Sequence, residues 1–201
     1  MHARKFRKAR IPHWGWLLLL GGLVVATPAE AKKGDFHTGF FIGNTRYFVG
    51  ADSTTGATFG LQFTWEVIQD LELRLVGAYA ATGGTHTEAG TDYPLNVEST
   101  IGRLGTQYLF NRGPRTVVSF FAGGGLALMD YTLDHTYPGS TVNQVSGVAP
   151  GGYLNMGAEI KLTQDMTLLP TYEYQVIQLK SGVDGLMLYS TGFLLTLRLS
   201  S

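Results

Sequence analysis

Strict alternation of apolar and polar residues over Tyr153–Val176 constrains this chain more than any other feature. Leu154, Met156, Ala158, Ile160 and Leu162 alternate with Tyr153, Asn155, Gly157, Glu159 and Lys161. A period of two belongs to a strand with one apolar and one polar face. After Thr163–Asp165 the alternation resumes, with Thr171, Glu173 and Gln175 set against Pro170, Tyr172, Tyr174 and Val176. Three intervening residues can only turn the chain, so the stretch is a long hairpin closed tightly at one end. Pro170 removes a ladder donor in mid-strand and predicts a local bulge or bend there.

The same pattern recurs along the chain. Strands are expected over Phe36–Phe48, Thr58–Val67, Leu71–Ala81, Val97–Phe110, Thr116–Leu133, the two hairpin arms, and Gly185–Ser200. In the second of these, Phe59, Leu61, Phe63, Trp65 and Val67 oppose Thr58, Gly60, Gln62, Thr64 and Glu66. Ile68–Asp70, Asn111–Arg115 and Thr163–Asp165 read as tight turns. Val49–Ala57, Thr82–Asn96, Asp134–Pro150 and Leu179–Asp184 read as the longer connections. Eight long strands with short turns at one end and longer loops at the other predict an all-β fold, an eight-stranded antiparallel up-and-down transmembrane β-barrel.

Residues 1–31 stand apart as a cleaved secretory signal peptide. Arg4, Lys5, Arg7, Lys8 and Arg10 form a basic region, Trp14–Ala26 an apolar one, and Ala29-Glu30-Ala31 a cleavage signal. Residues 32–201 are then the barrel domain. Five of the 15 basic residues and one of the 15 acidic ones fall in the leader, leaving 10 against 14 and a net charge of −4. That balance offers nucleic acid no basic surface. The absence of Cys excludes disulfides and thiolate metal sites.

Charge content decides which face meets the solvent. The 24 charged residues among residues 32–201 are about 14% of them, against about 25% in soluble domains. A water-facing wall needs many more. The apolar faces are therefore turned to lipid, and the Thr, Gly, Gln, Asn and few charges point inward. An Arg on the lipid face near the midplane costs about 2–4 kcal/mol, so Arg103 points inward with Ser99, Gly105 and Gln107. Leu104, Tyr108 and Phe110 then point out. Trp65 at the turn end, and Tyr79 and Tyr189 at the loop end, suit interfacial belts or ordinary wall positions equally well.

The same parity places Glu66, Glu72, Glu159 and Glu173 in the lumen with Arg74, Arg103, Lys161 and Arg198. An eight-stranded barrel is only wide enough for side chains to fill, so these groups must meet one another. Arg103 stands eight residues before Asn111, and Glu173 eight after Asp165. Both therefore lie near mid-height, and a contact between them is expected.

At this point the chain resembles the small outer-membrane β-barrel proteins of the OmpA and OmpX type. The matching stretches are Phe120–Ala127, Gly157–Leu168 and the last strand. There Ser190, Gly192, Leu195 and Leu197 follow the pattern of the signal read by the barrel-assembly machinery. The resemblance implies the outer membrane of a Gram-negative bacterium, with contacts to outer-membrane lipid and lipopolysaccharide. It implies a monomer, no cofactor and no nucleic-acid partner.

No reaction is legible. Asp130, Asp134, His135, Ser140 and Ser146 would suit a lipid A-modifying enzyme, but loops are rich in such residues. Asp52, Glu88, Asp92 and Asp184 add acidity at the same end without metal-ligand spacing. The expectation is a barrel with a filled lumen, structural or active in surface interaction through its loops, and not an enzyme. A small pore and a lipid A-directed enzyme are the alternatives.

Overall fold

The computed structural model describes residues 36–49, 52–88, 91–112, 116–135, 143–178 and 187–200. The leader assigned to residues 1–31 lies outside them. Eight strands follow in order: β1 (Phe36–Val49), β2 (Asp52–Ile68), β3 (Leu71–Glu88), β4 (Thr91–Phe110), β5 (Val118–His135), β6 (Asn143–Lys161), β7 (Met166–Gln178) and β8 (Met187–Ser200). Each pairs antiparallel with the next, and β8 closes on β1 from Ser200 at His37 to Leu188 at Val49. Closure leaves the ring no free edge, which a lipid-facing sheet requires.

Facing follows the pleat. Gln62, Thr64, Glu72, Arg74, Arg103 and Gln107 are buried inside the ring. Phe40, Phe59, Leu61, Leu104, Phe120, Leu126, Leu154 and Phe193 are exposed on the outer wall. Apolar outside and polar within is the inverse of a soluble barrel, and it suits hydrocarbon.

The connections differ from the sequence reading. Much of Val49–Ala57, Thr82–Asn96 and Asp134–Pro150 is strand. The β3–β4 ladder runs on to Glu88 and Thr91, and the β5–β6 ladder to His135 and Asn143. The alternation of long and short connections is thus largely one of strand overhang. The reason is that these ends continue past the apolar wall. There the outward residues, such as Glu98, Thr132 and Asp134, turn polar while Leu95, Val97, Tyr131 and Leu133 face inward, so the apolar phase that marks the wall inverts while the backbone ladder persists. Among the described residues, β2 reaches β3 only up to Gly83, and β7 reaches β6 only from Gly151. The outer parts of β3–β6 therefore stand proud of the ring as a four-stranded sheet.

At the other end the turns are tight. Asp70 (φ 65°) and Asn111 (φ 59°) take left-handed conformations, which short Asx side chains tolerate better than most. Pro170 does not shift the register. Pairing with β6 lapses between Gly157↔Thr171 and Ile160↔Leu168 and resumes in phase, while Pro170 stays aligned with Leu195 of β8. A proline lacks only its own donor, so the ladder on one side opens locally without an inserted residue. The bulge lies instead in β2, between Glu66 and Ile68.

Candidate functional site

The lumen is crossed by two clusters of arginine and glutamate. In the first, Glu173 of β7 reaches across to β3 and β4. Its Oε1 lies 2.7 Å from Arg103 Nη2, and its Oε2 accepts from Arg74 Nη1 at 3.4 Å. Arg74 Nε donates to Gln62 Oε1 at 3.2 Å, and Arg103 Nε to Gln175 Oε1 at 3.1 Å. The Tyr153 ring lies 5.7 Å and 6.0 Å from the two guanidinium carbons, close enough for its face to attract both cations. The cluster holds two cations and one anion.

The second cluster lies nearer the turn end and reverses that ratio. Arg198 of β8 donates through Nη1 to both oxygens of Glu72, at 3.2 Å each. Its Nη2 lies 2.7 Å from Glu159 Oε2. Gln107 Nε2 donates to Glu72 Oε2 at 2.7 Å, and Asn155 Nδ2 to Gln107 Oε1 at 3.4 Å. Asn155 is aligned with Glu173 in the β6–β7 ladder, which sets the two clusters at neighbouring levels of the lumen. His37 stands at the edge, with Nδ1 2.9 Å from Ser200 Oγ and Nε2 3.8 Å from Glu72 Oε1. Arg74, Glu72 and Arg198 are at most 1% exposed. A charge so buried is tolerated only in company.

Glu66 and Lys161 stand apart from both clusters. Glu66 pairs at 2.6 Å with Arg112, which lies beyond the end of β4. Burial alone would lower the Arg112 pKa, but the hydrogen bond and charge of Glu66, with the charges of Glu159 and Glu72, together raise it. Lys161 is half-buried and aligned with Thr167 at the turn-end rim. It joins none of the ion pairs among the described residues.

The sequence reading placed Gln62, Gln107, Asn155 and Gln175 on the inward faces without giving them partners, and it missed the parts played by Arg112 and His37. Inward parity marks all but Arg112. Amides between like charges are the natural spacers, since each can donate and accept.

The other half of the lumen is largely apolar. Toward the long-strand end the inward positions include Val76, Ala78, Val97, Ile101, Met129, Tyr131, Leu133, Ala149, Ile177 and Leu188, packed as one buried cluster, with Thr54, Thr82 and Ser190 among the buried polar residues there. Polar pairs are few there: Tyr47 Oη lies 2.8 Å from Ser99 Oγ, and Thr45 Oγ1 2.8 Å from Thr58 Oγ1.

Other sequence candidates are scattered. Asp130, Asp134 and Ser146 are not fully buried, and the ladder aligns them with Val148, Gln144 and Thr132 in turn. Four strand residues separate the two acids, about 13 Å. Among the described residues no group of three or more His, Asp or Glu could hold a metal ion. Ser140, Asp184 and the side chains of His86, Glu88 and His135 lie outside the described set. On β8, Ser190 is buried and Gly192 is half-buried, while Leu195 and Leu197 are exposed on the outer wall.

Neisserial surface protein A superposes with a TM-score of 0.57 at 17% identity, over 83% of this chain and 97% of that one. The fold is that of the small eight-stranded outer-membrane β-barrels. The outer membrane protein OprG from Pseudomonas aeruginosa superposes with a TM-score of 0.52 at 13% identity, covering 85% of this chain and 98% of the other. No protein-family model matches the sequence, and no curated protein matches it. Identity this low ties the barrel to these proteins by architecture alone.

Proposed function

We propose that this chain is an integral outer-membrane barrel with a closed lumen, acting as an envelope scaffold and as a surface for interaction. The observation that carries this reading is the pair of arginine–glutamate clusters spanning the lumen, backed by the apolar packing beyond them. A hydrated solute or ion would have to break buried ion pairs at one level and enter an apolar core at the next. Both steps are unfavourable. The proud sheet of β3–β6 supports the interaction role, because among the described residues it carries the strands furthest past the closed ring.

Planar-bilayer recording tests the reading. The wild-type barrel is expected to show no stable open state. Arg103→Ala with Glu173→Ala, which removes one plug contact as a pair, is expected to add only brief openings because the second cluster remains. A steady wild-type conductance would replace the scaffold by a pore. A lipid A mass spectrum that changes with the gene's presence would replace it by an enzyme.

A further inference from the structure

An apolar groove of about 390 Å³ opens on the outer wall, lined in part by Leu75, Gly102, Leu104, Leu126, Leu128 and Pro150. Its floor contains a glycine with no partner in the protein. A Cβ added at Gly102 would meet nothing within 4 Å, and one at Gly152, on the same face of β6, only the Gly125 carbonyl at 3.6 Å. At four glycines that face the lumen the reverse holds. At Gly43, Gly60, Gly105 or Gly157 an added Cβ would come within 2.2 Å of a backbone oxygen on the next strand. Those glycines are required by the packing; Gly102 is not.

Glycine inside a strand costs stability, and it commonly marks a bulge, a corner, or a place where a ligand or another backbone comes close. Gly102 is at neither a bulge nor a corner. Its ladders to Gly77 and Leu128 run unbroken on both sides. The remaining reason is an approaching molecule.

The position of the groove says what that molecule is. On β4, Leu104 lies toward the turn end of Gly102. The next outward residues the other way are Thr100 and Glu98. Tyr79 Oη donates to Glu98 Oε1 at 2.6 Å, and Thr100 is aligned with Asp130 of β5. The groove thus ends just below a polar border and faces the hydrocarbon. Water does not fill an apolar recess of this kind.

We infer that the groove seats one acyl chain of a bilayer lipid, with its headgroup at the level of Tyr79 and Glu98. This rests on the membrane reading above and adds a defined site to it. Native mass spectrometry of the barrel released from dimyristoyl phosphatidylcholine nanodiscs tests the site. Wild type should retain one lipid per barrel. Gly102→Leu, whose Cβ enters open space and whose side chain occupies the groove, should retain at least tenfold less. Leu126→Ala, which removes one wall of the groove, should also lose lipid. Thr38→Leu adds similar bulk to the outer face of β1 and should retain lipid as wild type does. Equal retention by wild type, Gly102→Leu and Leu126→Ala would overturn the site. So would a wild-type dimer abolished by Gly102→Leu, because a second copy would then be the occupant. A wild type that fails to insert into the bilayer overturns the membrane reading and the groove with it. Insertion with unchanged retention overturns the groove alone.

Discussion

The two halves of the lumen close the barrel by different means. Toward the turns, Arg74, Arg103 and Arg198 meet Glu72, Glu159 and Glu173 through specific contacts of 2.7–3.4 Å. Toward the long-strand end, Val76, Ile101, Met129, Ile177 and Leu188 fill the space by shape alone. The contrast teaches where each half is vulnerable. An apolar core loses contacts in proportion to the volume removed. A buried charge cluster fails discontinuously, because deleting one member strands another in a medium that cannot solvate it.

Arg198→Ala should therefore do the most damage. It leaves both Glu72 and Glu159 without their cation, and a loss of about 3–5 kcal/mol is expected for breaking such a buried pair. Urea unfolding in lipid vesicles, followed by heat-modifiable mobility, measures it. Adding Glu159→Gln should restore part of the loss. A cost no larger than that of a surface change would mean that luminal water solvates this cluster, and the contrast between the halves would fall.

Ile101→Ala probes the apolar half. Large-to-small changes of this kind cost about 2–5 kcal/mol. The expected loss is about 2–3 kcal/mol, because Met129, aligned with Ile101 on β5, is flexible enough to move into the space. The same unfolding assay should show this loss unchanged between low and high salt. A salt-dependent loss would show the apolar half to be electrostatically coupled to the charged one.

The smallest effect is expected at Gln62. From sequence, a luminal Gln62→Arg exchange reads as mild, since it enters a polar interior. The structure alters that expectation, because Gln62 is 2% exposed and already accepts from Arg74. A third arginine would crowd a cluster that already carries two cations and one anion. Gln62→Glu, by contrast, places a carboxylate where Arg74 already donates. Its stability should stay within about 1 kcal/mol of wild type, the scale of a single hydrogen bond. A large loss would show that the cluster's charge is balanced from elsewhere.

The particular elements show how far the sequence could be read. The facing of β2, β4 and β7 was legible residue by residue, as was the inward set that supplies both clusters. The overhangs of β3–β6 were not, because the apolar phase inverts there: Leu95, Val97 and Leu133 face inward while their outward neighbours turn polar. Pro170 misled in a different way: its missing donor was legible, but whether the ladder bulges or merely opens depends on the strand alongside. Arg112 was hidden because parity ends where the strand ends.

Sequence by itself determined the strand count and which side of β2, β4 and β7 meets lipid. Both follow from the pleat, a local property that turns every second side chain the same way. Only the tertiary structure decided that Glu173 serves two arginines, that Arg198 serves two glutamates, and that the lumen is split into a charged half and an apolar one. Those outcomes depend on the register of all eight strands around the closed ring. Register sets which residues from distant strands share a level, and no local stretch of sequence contains it.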